Sequence, residues 1–196
     1  MNVLLSQADK LELGLCLRVN WLSRFRPVVG LFRIVSRLGD GVFWYSLMTV
    51  FAVLYGWQGV AAMLHVGFTS LVGVGIYTYL KERLVRPRPF VSHGQIVCQT
   101  APLDQYSFPS GHTLHAVLFT TMLSAYVPTV FGALLIFAVL VAISRVVLGL
   151  HYPSDVVVGA LLGSALAMIS MTLIDVTPLV SPDTVDQWQI RWVSLH

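Results

Sequence analysis

Two histidines, one aspartate and three cations fall at spacings that could move a phosphoryl group. Lys81, Arg88 and Arg145 would together present three fixed positive charges, a pocket suited to phosphate or another multiply charged oxyanion. Pro109-Ser110-Gly111-His112 reads as a helix start. Ser110 can cap it, and Gly111 lets an anion approach the backbone N–H groups, where the helix adds its own partial positive charge. His151 and Asp155 straddle Pro153, which is expected to open a helix in its first turn. The carboxylate can then accept a proton from one ring nitrogen and leave the other basic and nucleophilic. His112 remains available as general acid for a leaving oxygen. The sequence shows no acidic cluster to hold a metal, so the cations would be the protein's own and no cofactor is expected.

The elements that must position these groups carry almost no charge. Of 196 residues, 56% are hydrophobic and 11% charged, with a mean hydropathy of +0.77. A soluble domain carries about a quarter charged residues, so a solvated globular surface is excluded, and so is disorder. Twelve Lys and Arg against nine Asp and Glu give a net charge of +3, too slight and too clustered to point to nucleic acid. Cys16 and Cys98 fit neither a disulfide framework nor a zinc spacing.

Residues 41–80, 105–144 and 156–174 contain no Asp, Glu, Lys or Arg. A bilayer core about 30 Å thick takes about 20 apolar residues of helix. The first run therefore holds two spans, 42–57 and 60–80, broken at Gln58-Gly59. The second holds 112–127 and 129–150, broken at Pro128, and the third is the span 156–174. Trp57, Tyr77, Tyr79, Tyr126 and Tyr152 fall near the expected ends, where amphipathic rings favour the interface. Before them, Val28, Leu31, Phe32, Val35 and Leu38 follow helical spacing opposite Arg26, Arg33 and Arg37, and Gly39-Asp40-Gly41 stops the segment. It either lies in the interface or forms a short first helix. The fold class is thus all-α: a polytopic membrane helix bundle of five spans, with a sixth at this segment. Residues 1–40 form the N-terminal region, 41–175 the catalytic bundle and 176–196 a tail.

Three polar islands interrupt the apolar chain: 81–89, 106–115 and 144–155. Island one closes the 60–80 helix and island two opens the next, so both lie on one side. Island three, one hairpin later, returns to that side. All three meet at one membrane face, with 90–106 as a loop above them.

These islands resemble the signature of the type 2 phosphatidic acid phosphatase superfamily. Its first motif, Lys, six residues, then Arg-Pro, is matched by Lys81 and Arg88-Pro89. The second, Pro-Ser-Gly-His, is matched at Pro109 to His112. The third, Ser-Arg, five residues, His, three residues, Asp, is matched at Ser144, Arg145, His151 and Asp155. The resemblance implies that His151, oriented by Asp155, attacks phosphorus to form a phosphohistidine. His112 protonates the leaving group, and Lys81, Arg88, Ser110, the Gly111 amide and Arg145 hold the phosphoryl oxygens. Water then completes the reaction without a metal. It also implies six helices and, for bacterial members, an active site on the outer, periplasmic face of the inner membrane.

The expected protein is a membrane lipid phosphatase acting on a phosphate monoester or pyrophosphate, with the lipid tail left in the bilayer. Undecaprenyl diphosphate is the first choice of substrate, then phosphatidylglycerophosphate and phosphatidic acid. The alternatives are a lipid-to-lipid phosphotransferase and an anion transporter using the arginine cluster; the missing mid-span charges oppose the transporter. Arg83 and Arg86 are expected to contact headgroups; Glu82 and Asp104 could tune the pocket or be solvated loop charges, the latter being favoured. His65 and His115 are expected to make structural hydrogen bonds, Cys98 to be a loop thiol, and Gly159-x-x-x-Gly163 to allow close helix contact within the bundle.

Overall fold

The Asp, Glu, Lys and Arg residues of the apolar helices after residue 41 stand at helix ends, not helix middles. The computed structural model describes residues 2–174 and 176, and within them there are eight α-helices and no strand. They are α1 (Asn2–Asn20), α2 (Arg26–Gly39), α3 (Val42–Leu54), α4 (Gly56–Leu84), α5 (Pro89–Ser92), α6 (Gly111–Tyr126), α7 (Phe131–Val147) and α8 (Pro153–Leu173). The expected C-terminal tail lies outside the described residues, save for residue 176.

Among the described residues, three helices are long and apolar enough to cross a membrane: Gly56–Leu84, Pro128–Val147 with its opening 3₁₀ turn, and Pro153–Leu173. The other two expected spans, α3 and α6, form helices of 13 and 16 residues. The break between the first two spans comes at Tyr55 and Gly56 rather than at Gln58-Gly59; Gly56 adopts φ +58° there, and Gln58 lies inside α4. Pro128 breaks the second pair as expected, and Pro153 opens α8.

α2 forms over the segment read from its arginine stripe, although its buried face is rotated. Val29, Phe32, Val35 and Ser36 are buried, while Leu31 and Leu38 are exposed. An apolar surround takes Leu31 and Leu38 as readily as protein does, so hydrophobic spacing alone does not fix the face that packs. α1 was not foreseen. Asn20 at its end donates to the carbonyls of Val97 (3.0 Å) and Val147 (2.9 Å) and accepts from the Val97 N–H, pinning the loop after α5 to the end of α7.

The core is aromatic and aliphatic, centred on Trp44, Phe119, Met122, Leu118 and Val141. Trp44 stacks on Phe119 at 5.2 Å between ring centroids. Interfacial aromatics divide: Trp57 and Tyr79 are exposed, whereas Tyr126 is buried against His65 and Tyr152 is buried beside Arg86. Tyr77 lines a cavity. The deepest helix contact is α6 on α8. A Cβ on Gly159 would stand 2.5 Å from the Ser110 carbonyl oxygen, and one on Gly163 would stand 2.3 Å from that of Leu114. This approach lets the Ser110 N–H donate to the Asp155 carbonyl at 3.0 Å, locking the second and third islands together.

Gly163→Ala should therefore lower stability by about 1–3 kcal/mol through overpacking against backbone that cannot give way. Thermal unfolding in detergent checks this; an unchanged midpoint would show that α6 and α8 can separate freely.

Candidate active site

All three islands, together with the end of α2, face one cavity of about 560 Å³. Lys81, Arg88, His112, Arg145 and His151 form its polar side, and Trp44, Tyr45, Val74 and Phe119 its apolar side.

Lys81 stands in the last turn of α4. The helix ends at Val85, whose φ of +45° is a left-handed conformation costing a β-branched residue about 1–2 kcal/mol. That turn carries Arg86 and Arg88 back towards the bundle. The side chains of Lys81 and Arg88 are 8% and 2% exposed, and both donate to Asp104, at 2.6 and 2.7 Å. Asp104 is therefore a bridge between two buried cations and not the solvated loop charge expected. Burial pushes its carboxyl up, but the hydrogen bond and charge of Lys81, with Arg88 beside it, outweigh burial and hold it below the usual carboxylate range. The bridge thus contributes stability at neutral pH that is lost only as pH falls through that lowered value. Glu82 is exposed at the cavity rim, and Arg83 is exposed over the Tyr79 ring.

His151 lies between α7 and α8, 2% exposed. Its Nε2 is 3.4 Å from the Arg88 guanidinium, which also donates to the Leu150 carbonyl at 2.9 Å. Its Nδ1 lies 3.5 Å from Asp155 Oδ2 and has no hydrogen-bond partner among the described residues. The carboxylate is held elsewhere: Oδ2 accepts the Tyr152 N–H at 2.9 Å and Oδ1 accepts from Arg86 at 2.6 Å. Burial, then the charges of Arg145, Arg88 and Lys81, push His151 well below the ordinary imidazole value, which favours the neutral ring.

Arg86, expected at the headgroups, is a strut. It also donates to Glu12 of α1 (2.6 Å) and Ser154 (2.7 Å), and its guanidinium lies 4.0 Å over the Tyr152 ring. Glu12 in turn accepts the Ser154 N–H at 2.9 Å.

His112 opens α6 in the cavity, and its Nε2 is bonded to Asp40. Gly111 lines the cavity beside it. Ser110 does not line it: fully buried, its hydroxyl accepts the Thr113 N–H and caps the helix. Arg145 donates to Ser36 of α2, while its buried Nε has no partner among the described residues. A buried donor without a partner costs about 1–3 kcal/mol. His115 bonds the Gly111 and Ser70 carbonyls, and His65 bonds Tyr126 and Ser170, so both make the structural contacts expected. Cys98 donates to the Thr100 carbonyl in the outer loop. Among the described residues, no three His, Cys, Asp or Glu side chains are grouped as a metal ion requires.

Sequence reasoning missed Glu12, Ser36, Asp40 and the role of Arg86, and set the pocket role of Asp104 second. Each acts through a partner 16 or more residues away. Local spacing carries no trace of such pairings.

Residues 62–177 match the PAP2 superfamily. The chain is 29% identical over 151 residues to an undecaprenyl-diphosphatase of Sulfolobus acidocaldarius, covering 76% of this chain and 72% of that one. It is 28% identical over 123 residues to a lipid A 1-phosphatase of Rhizobium johnstonii, covering 61% of this chain and 49% of that relative's length. The crystal structure of Aquifex aeolicus LpxE superposes with a TM-score of 0.67 at 26% identity, over 83% of this chain and 95% of that one.

Two measurements test the geometry. Phosphoryl transfer from a lipid phosphate should persist well below pH ~6.5, the ordinary imidazole value. It should fail only as pH drops through the lowered value of His151, when the ring protonates; an acid limb at or above the ordinary value would contradict a buried neutral imidazole. Arg86→Gln should cut kcat on the order of tenfold or more by freeing Asp155 to swing, whereas a headgroup arginine would chiefly alter KM.

Proposed function

The chain belongs to the PAP2 superfamily, and on that premise we propose that it is an integral membrane lipid phosphatase working through a phosphohistidine. The observation that carries this reading is the convergence of Lys81, Arg88, Arg145, His112 and His151 on one cavity that is cationic on one side and apolar on the other. A phosphorylated headgroup suits the first side, and the start of a tail the second. Undecaprenyl diphosphate is the favoured substrate, followed by phosphatidylglycerophosphate and phosphatidic acid; the archaeal relative's name supports that order.

In the proposed cycle, Nε2 of neutral His151 attacks phosphorus as the bond to the leaving oxygen breaks. His112 passes that oxygen a proton, which completes the leaving alcohol or phosphate. Lys81, Arg88, Arg145 and the Gly111 amide hold the three remaining oxygens, stabilising charge that grows in the transition state. Ser110 acts at one remove, by fixing the start of α6 through its cap. Water then attacks the phosphohistidine, losing its proton to the now neutral His112, and His151 is regenerated. No step calls for a metal.

The membrane arrangement we favour has six spans: α2, α3, α4, α6, α7 and α8. α1 then lies at the interface beside the site, both ends of the bundle lie inside, and the cavity opens to the outer face of a bacterial inner membrane. The residues around the cavity sit at helix ends, as such a headgroup-level site requires.

Purified protein in detergent with EDTA should release phosphate from undecaprenyl diphosphate, phosphatidylglycerophosphate or phosphatidic acid, and His151→Ala should abolish release while leaving the thermal midpoint near wild type. Asp155→Asn should lower the rate strongly but less completely. Release by His151→Ala would remove the nucleophile. No release by wild type, with label moving to a second lipid, would make the protein a phosphotransferase.

A further inference from the structure

Outside the matched stretch of residues 62–177, one carboxylate reaches into the cavity. Asp40 follows the last residue of α2, where its N–H closes the helix on the Arg37 carbonyl at 3.2 Å. Gly41 then takes φ +121°, a conformation L side chains rarely adopt, and turns the chain into α3. α2 itself is held in place by Ser36, which accepts from Arg145, and by Arg33, which donates to the Gln99 carbonyl at 2.7 Å. Asp40 is thus presented by a fixed turn, with its side chain 33% exposed, to a histidine that is 11% exposed.

We propose that Asp40 is the positioning residue of the general acid His112, held on its Nε2 so that Nδ1 faces the leaving oxygen. This rests on the phosphatase reading above. Among the described residues the side-chain hydrogen bond of His112 is on Nε2, to the Asp40 carboxylate, which leaves Nδ1 to the substrate. With Asp40 accepting the Nε2 proton, the proton on Nδ1 is the one that moves to the leaving oxygen. His112 is left neutral, its remaining proton on Nε2 still held by Asp40. In the second half, Nδ1 takes a proton from the attacking water. Asp40 keeps its charge throughout, as an orienting carboxylate does.

The same contact opposes the field of the site. Lys81, Arg88 and Arg145 all discourage a second proton on a ring in that cavity, and Asp104 is already spent on two of them. Asp40 supplies the local negative charge that lets His112 carry the proton the reaction needs.

The test separates leaving groups. kcat/KM, which stops at the first irreversible step, is measured on a phosphatidic acid, whose leaving alcohol needs a proton, and on p-nitrophenyl phosphate, whose leaving phenolate does not. General acid catalysis contributes about 10²–10⁴-fold, so Asp40→Asn should lose on the order of 100-fold on the lipid and far less on the aryl ester. Asp40→Glu should recover part of the loss, and His112→Ala should show the same selectivity as Asp40→Asn. Equal losses on both substrates, or none, with His112→Ala still selective, would overturn the role of Asp40 and leave the phosphatase reading standing. If His112→Ala were itself unselective, the general acid would be misassigned and the role of Asp40 would fall with it. Thermal unfolding of Asp40→Asn keeps misfolding from passing as either result.

Discussion

Three buried positive charges in one cavity set the terms for the rest of the molecule. Lys81, Arg88 and Arg145 are each nearly inaccessible to water, and mutual repulsion between unit charges grows several-fold as the surroundings lose polarity. Such a cluster is stable only where fixed acceptors surround it. Asp104 takes two of the cations, backbone carbonyls of Leu150 and Tyr106 take further donors, and Ser36 takes Arg145. What stays unmet is the Nε of Arg145. That donor is the remainder of an incomplete neutralisation, built in by the fold.

That remainder explains the layout of helices. Cations and carboxylates cannot be kept in the middle of an apolar span at reasonable cost, so every charged group of the site sits at the end of α2, α4, α7 or α8 or in a connecting loop. The helices meet at that end because α6 and α8 touch through Gly159 and Gly163, with the Asp155 carbonyl taking the Ser110 N–H. One close contact thus brings the second and third islands together. The turn at Val85 then carries the first island in.

How much of this was legible follows from the range of each interaction. Motif spacing, the cap at Ser110, the helix start at Pro153 and the charge-free runs are local, and each could be read from adjacent residues. The glycine pair was also readable as a contact, because small residues in an apolar helix have few other uses. The carboxylates were not. Asp40 looked like a helix stop, Glu12 like a charge in an unremarked segment, and Asp104 like loop solvation. Their roles depend on partners 72, 74 and 23 residues away, whose proximity is set by packing. Aromatic residues misled for a related reason: Tyr126 and Tyr152 fall at helix ends, yet a hydroxyl bonded to His65 and a ring under Arg86 serve the interior equally well.

In the proposed cycle the two histidines share one field but take opposite proton states, and the carboxylates beside them are held differently. Asp155 faces His151 at 3.5 Å with both oxygens engaged, one by Arg86 and one by the Tyr152 N–H. Its charge is largely answered by Arg86, so it can orient the ring without holding a second proton there. Asp40 has no such competitor among the described residues, and its bond to His112 is undiluted. The proposed cycle needs a neutral nucleophile and a proton-bearing acid around the same cations. The difference lies in how far each carboxylate has been neutralised before the imidazole meets it. Arg86 belongs to that arrangement as much as the histidines do: it engages Asp155 Oδ1 on one side and Glu12 on the other.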